Sequence, residues 1–101
     1  MVLTAATGIS CRPDEPEPEP EFDIAIEGFA YEPAEITISV GATLTWLNRD
    51  LDVHTVTAQD GTFDSGNLAR GDTFSYTFEE PGTFEYYCIP HPYMTGRVIV
   101  G

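Results

Sequence analysis

A two-sheet antiparallel Greek-key β-sandwich of seven to eight strands is the fold class predicted for this chain, and three observations carry it. Apolar and polar residues alternate with period two in short runs, Gly, Pro, Asn and Asp break those runs, and no helical periodicity longer than a turn is present. In chain order, Phe22, Ile24 and Ile26 alternate with Asp23, Ala25 and Glu27. Each such run has one apolar face to bury and one polar face to wet. Ile36, Ile38 and Val40 alternate with Thr37 and Ser39 until Gly41 ends the run. Leu44 and Trp46 alternate with Thr43 and Thr45, and Thr55 and Thr57 flank Val56 just after His54. Phe74, Tyr76 and Phe78 alternate with Thr73, Ser75 and Thr77. Phe84, Tyr86 and Cys88 alternate with Thr83, Glu85 and Tyr87, and Val98 and Val100 close the chain. Aromatic and β-branched side chains suit a pleated, half-buried surface. Seven or eight such strands in about 80 residues fill one two-sheet sandwich.

A length of 101 residues accommodates one small domain, and a 42% hydrophobic share is enough to bury a core. No apolar run reaches the roughly 18 residues of a membrane-spanning helix. The net charge of −13 argues against binding nucleic acid and against adhering to an anionic membrane by charge. All four basic residues are Arg, and Lys is absent. Such an acid-rich surface suits high salt, where carboxylates retain water and ions. A genome that codes Arg over Lys is the alternative. Two His exclude any metal centre that needs three or more His from one chain.

The chain divides into three parts. Residues 1–11 are apolar and small and stop at Cys11; they are expected to be a leader remnant or a lipoprotein-like N-terminus, with a lipid on Cys11 as the membrane attachment. The residue three before that Cys is Gly8, where a lipoprotein signal has Leu, Ile or Val. Residues 12–21, RPDEPEPEPE, form a Pro/Glu-rich linker, since Pro lacks an N–H and the carboxylates repel. At roughly 3 Å per residue it extends about 30 Å. Residues 22–101 form the folded domain. A Cys11–Cys88 disulfide is not expected, because Cys11 precedes the stiff spacer and Cys88 has other work.

That work is indicated by the segment Tyr87-Cys88-Ile89-Pro90-His91-Pro92-Tyr93-Met94. It places a thiolate, an imidazole and a thioether in one loop between the last two strands. The only other His, His54, opens the Val56 run. Singly, each residue has an ordinary reading: Cys88 as a small buried hydrophobe, Met94 as core, His91 as a surface loop residue. Together, two His, one Cys and one Met are the donor set of a blue-copper centre, with soft sulfur for Cu(I), imidazole for Cu(II) and a weak axial thioether. Zinc would not recruit the thioether.

From Phe22 onward the chain resembles the cupredoxins, the type 1 blue-copper family, and within them the amicyanin- and plastocyanin-like group. The strongest stretch is FEYYCIPHPYMTGRVIV, with its short Cys-x2-His-x2-Met loop; Trp46-x-Asn48-x-Asp50 ahead of His54 and Phe63-Asp64-Ser65-Gly66 add to it. The resemblance implies a cupredoxin sandwich holding one copper ion on His54, Cys88, His91 and Met94. It implies single-electron transfer between redox proteins rather than an enzyme, since four ligands leave no position for a substrate. It also implies an edge of His91 near the surface, ringed by Pro90, Pro92, Tyr93 and Ile89 as a docking patch. The partners expected are transient redox proteins with basic patches, such as a cytochrome c or a dehydrogenase. The chain is expected to be a monomer, exported to the periplasm or the outer face of the cytoplasmic membrane. Thr55 departs from the family pattern, which often has Asn after the first His. Its N–H is expected to reach the Cys88 sulfur, while the bond tying the two ligand segments must come from its hydroxyl or be absent. Pro90 has no N–H to offer that sulfur. A copper-buffering module and a metal-free adhesion sandwich are the alternatives, and the visible spectrum separates all three.

Overall fold

The computed structural model describes residues 19–101. Among these, eight strands and no helix are present: β1 (Ile24–Ile26), β2 (Tyr31–Glu32), β3 (Glu35–Ile38), β4 (Thr43–Asn48), β5 (Thr57–Ala58), β6 (Thr73–Thr77), β7 (Gly82–Tyr87) and β8 (Thr95–Val100). They form two four-stranded sheets, in the orders β2-β1-β4-β6 and β3-β8-β7-β5. The all-β class, the two sheets and the strand number are as expected. Pairing differs in one respect, because each sheet is mixed. β1 runs parallel to β4, with Ile24 opposite Trp46, and β3 runs parallel to β8, with Ile36 opposite Val98. The chain leaves the first sheet after β2, lays β3 into the second, and re-enters beside β1 in the same direction. Alternation reports half-burial and carries no information on direction.

The inward faces match the apolar sets. Ile24, Ile26, Leu44, Trp46, Val56, Tyr86, Val98 and Val100 are all buried. Fully burying a side chain of this kind stabilises the fold by roughly 1.5–3 kcal/mol. Phe63, from the connection after β5, fills the middle of the core, with its ring 5.0 Å from Tyr76, 5.5 Å from Phe78 and 6.1 Å from Trp46. The two sheets are also joined by a buried polar bond, as Trp46 Nε1–H donates to Tyr86 Oη at 3.2 Å. Opposite Tyr86 in the β7–β8 ladder lies Gly96. A Cβ there would sit 2.2 Å from Tyr86 Cζ, so only Gly lets the tyrosine ring lie across β8.

Some expected strand ends shift. β3 stops at Ile38, and Val40, expected inward, is exposed in the turn that follows. Tyr31 and Glu32 form β2, which the alternation did not mark. The leader and most of the linker lie outside the described residues. The linker's Glu19 makes a two-point ion pair with Arg49, at 2.9 and 2.7 Å. Arg49 also lies over the Phe22 ring, 4.6 Å from its centroid. Both partners of the pair are solvated, so it adds little to stability.

Two connections meet at one end of the sandwich. One follows β4 and carries His54; the other, residues 88–94, joins β7 to β8.

Candidate metal centre

His54 is positioned by a turn that Asn48 organises. The buried Asn48 side chain donates to Asp52 O at 3.0 Å and Leu68 O at 2.8 Å, and accepts the Asp50 N–H at 2.9 Å. Three of its bonding positions are filled, which fixes the loop from 48 to 52. Asp50 then takes three donors. Its carboxylate accepts the N–H groups of Gly28 and Phe29, at 2.8 and 2.9 Å, and faces His54 Nε2 at 2.8 Å. Burial pushes the Asp50 carboxyl upward, but the Phe29 and Gly28 N–H groups and then the His54 ring outweigh it and hold it below the usual carboxylate range. With Nε2–H given to Asp50, the lone pair of His54 sits on Nδ1. A carboxylate that orients a histidine in this way is the common outer partner of metal-binding imidazoles. Two backbone bonds with Leu68, at 3.1 and 2.8 Å, hold the main chain of His54.

The second connection folds on itself. The His91 N–H reaches Cys88 O at 3.2 Å, the Met94 N–H reaches His91 O at 2.9 Å, and the Cys88 N–H returns to Met94 O at 3.1 Å. Pro90 and Pro92 fix φ on either side of His91. The loop therefore presents Cys88, His91 and Met94 from a stiff frame.

The result is a cluster of donor atoms. His54 Nδ1 and His91 Nδ1 are 3.2 Å apart, and Cys88 Sγ is 3.6 Å from the first and 3.5 Å from the second. All three lie within 4.8 Å of one another. Donors at about 2.0–2.3 Å from a shared ion, arranged trigonally, stand roughly 3.5–4 Å apart. The set thus fits a metal ion of that bond length, and its sulfur and imidazole chemistry suits copper. His54 and Cys88 are fully buried, Met94 is buried in the same loop, and His91 is half-buried. Cys88 is a free thiol.

Thr55 meets both expectations placed on it. Its N–H points at Cys88 Sγ, at 3.4 Å, and its hydroxyl oxygen accepts the Ile89 N–H at 2.9 Å. Thr55 O in turn accepts the Tyr31 hydroxyl. Burial is the main cause that raises Tyr31 above its ordinary range, followed by the charge of Cys88.

Residues 19–101 match the model of the copper-binding proteins of the plastocyanin/azurin family. The chain belongs to that family. It is 37% identical over 82 residues to amicyanin from Paracoccus denitrificans, covering 76% of this chain and 63% of that protein. The chain thus spans less than two thirds of that relative's length. A Cu(I) structure of an amicyanin variant superposes with a TM-score of 0.73 at 35% identity, covering 77% of this chain and 79% of the other. A purple cupredoxin from Nitrosopumilus maritimus gives a TM-score of 0.72 at 34% identity, covering 80% of this chain and 100% of that one.

In this cupredoxin the structure brings together His54, Cys88 and His91 and buries Met94 at the end of the same loop. Two contributors were given no role by the sequence. Asp50 stands four residues before His54, a spacing that permits contact but does not single it out. Phe29 sits in an irregular turn at a φ of 58°, with its ring edge-on to both histidines at 5.0 and 4.9 Å. Around them Leu51, Val53, Ile89 and Tyr93 expose apolar surface.

Proposed function

We propose that this chain is a small blue-copper electron carrier, with His54, Cys88, His91 and Met94 as the ligands of one copper ion. The observation that carries the reading is the buried convergence of two imidazole nitrogens and one thiol sulfur, with Met94 on the same loop. Copper supplies the Cu(I)/Cu(II) couple, and the chain supplies everything else. Asp50 holds the His54 tautomer, the Thr55 N–H faces the sulfur, and the self-bonded loop keeps Cys88, His91 and Met94 in place. Ligands held this firmly move little when one electron is gained or lost. Four ligands leave no position for a substrate, so the chain is a carrier and not an enzyme. Buried ligands also argue against rapid exchange of the metal with a delivery partner.

Electrons enter and leave through the half-buried His91, which lies among Ile89, Tyr93 and Phe29. Partners are transient redox proteins docking on that apolar rim. The acidic domain favours those with basic patches, such as a cytochrome c or a dehydrogenase. The chain acts as a monomer outside the cytoplasm, in the periplasm or at the outer face of the cytoplasmic membrane, with a lipid on Cys11 and the Pro/Glu linker as its tether.

The test is direct. Copper-loaded protein should be blue or blue-green from sulfur-to-Cu(II) charge transfer, and Cys88→Ala should lose the colour. A variant that stays blue would overturn the ligand assignment.

A further inference from the structure

Beside the metal centre, the hydroxyls of Thr55 and Thr57 form a one-way chain. The Ile89 N–H reaches Thr55 Oγ1 at 2.9 Å, Thr55 Oγ1 lies 2.9 Å from Thr57 Oγ1, and Thr57 donates to Asp64 Oδ1 at 3.0 Å. Proton counting sets the direction. A carboxylate only accepts, so the single Thr57 proton goes to Asp64. Thr57 oxygen must then accept from Thr55, and Thr55 oxygen is left to accept from Ile89. Every group is used once, head to tail.

The far end is fixed as firmly as the near one. Asp64 Oδ1 also accepts the Gly66 N–H at 3.0 Å, and the backbones of Thr57 and Asp64 form an antiparallel bridge. Ser65 binds the Val56 N–H through its hydroxyl at 2.8 Å and Val56 O through its own N–H at 2.9 Å. Thr55 and Thr57 are buried, whereas Asp64 is exposed at the rim. An amide at position 64 has NH2 donors as well as an oxygen and would not impose the direction; a carboxylate does. A charged acceptor bonds more strongly than a neutral one, and each bond in such a row polarises the next. Thr55 oxygen becomes the better acceptor for the Ile89 N–H. The same residue's N–H faces Cys88 Sγ, so Thr55 contacts both the Cys88 sulfur and the amide of the next residue.

We propose that Asp64 is a positioning residue for the Cys88 sulfur, acting through Thr57 and Thr55 on the hydrogen bond that the sulfur receives. The consequence for copper rests on the electron-carrier reading above; the hydrogen-bond chain does not. A firm Thr55 N–H bond withdraws charge from the sulfur and favours Cu(I). Breaking the chain at Thr57 should therefore lower the reduction potential without changing any charge.

The test uses Thr57→Val, Thr57→Ser, Asp64→Asn and the Thr57→Val/Asp64→Asn double variant. In metal-free protein, Thr57→Val should speed amide exchange at Ile89 by about tenfold while leaving Tyr86 in β7 unchanged. Asp64→Asn should speed Ile89 exchange by less, and should add nothing in the Thr57→Val background, because the route runs through that hydroxyl. In copper-loaded protein, Thr57→Val should lower the potential and shift the sulfur charge-transfer band, and Thr57→Ser should restore both. An unchanged Ile89 exchange rate overturns the proposal. So does a lower melting temperature with potential and band unmoved, the result expected if the threonines only satisfy one another. Colourless wild-type protein overturns the electron-carrier reading instead, and Ile89 exchange in the metal-free chain still decides the proposal.

Discussion

Phe29 occupies backbone that few bulky residues adopt. Its φ of 58° lies in the left-handed region, at a cost of about 1–2 kcal/mol. The two N–H bonds that Asp50 takes from Gly28 and Phe29 hold the turn there, and the ring lands edge-on to both histidines. Asp50 thus fixes His54 and its apolar cover with one carboxylate. Met94 contributes differently, as a buried thioether on the loop that carries Cys88 and His91. An amide oxygen is a harder ligand than a thioether and favours Cu(II). Met94→Gln should retain copper and lower the reduction potential by tens of millivolts, the size of roughly 1 kcal/mol. Potentiometry giving an unchanged or higher value would remove Met94 from the proposed ligand set.

The β7–β8 hairpin carries the loop of Cys88, His91 and Met94, and its register is enforced by one close contact. Six residue pairs run from Gly82–Val100 to Tyr87–Thr95, with Tyr86 set against Gly96. The Tyr86 ring crosses β8 at that Gly and takes the Trp46 bond from the opposite sheet. Gly96→Ala would put a methyl 2.2 Å from Tyr86 Cζ, and the ring must move and release Trp46. Overpacking of this kind costs about 1–3 kcal/mol, and the lost buried bond adds about 1 kcal/mol more. Urea unfolding should show a loss of at least about 2 kcal/mol. A loss under about 0.5 kcal/mol would mean that the ring has room to move. Ala42, in the turn before β4, is the control: Ala42→Gly should cost far less, since it only removes a methyl from a part-exposed turn and overpacks nothing.

Across the molecule, two tyrosines set the response to alkali. Burial pushes Tyr86 up to about 12, and burial pushes Tyr31 higher still. Both keep their protons in the folded chain at pH values where the unfolded chain, near its ordinary value of about 10, gives them up. Their contribution is complete below pH of about 10 and is lost as pH rises toward 12. The melting temperature of metal-free protein should fall over that window. Tyr86→Phe should flatten the decline; an unaltered slope would place the alkaline loss elsewhere. The domain's charge acts at longer range. Residues 24–101 carry 11 acids against Arg49, Arg70 and Arg97, and Arg97 is held by Glu85 and Glu35. The field that remains should attract a cation and weaken as salt screens it beyond about 10 Å. Electron transfer to a basic cytochrome c should slow several-fold from low to high ionic strength, and a rate indifferent to salt would count against basic partners.

The residues alone indicated the class of fold and the chemistry of the centre. Alternation of period two is a local property, because successive side chains point to opposite faces whatever the strand pairs with. The Cys-x2-His-x2-Met spacing is local as well, since one loop holds all three residues. His54 was legible because the chain has no other His outside that loop. Relations between distant segments were not legible. Parallel pairing of β1 with β4 and β3 with β8 depends on where the chain crosses between sheets, which no run of residues encodes. Phe29 meets His54 from 25 positions away in the sequence, and the Asp50 carboxylate meets the Gly28 N–H across 22. Such contacts exist only once both sheets are packed, when the two connections are forced to the same end and each buried donor must take the acceptor it finds there.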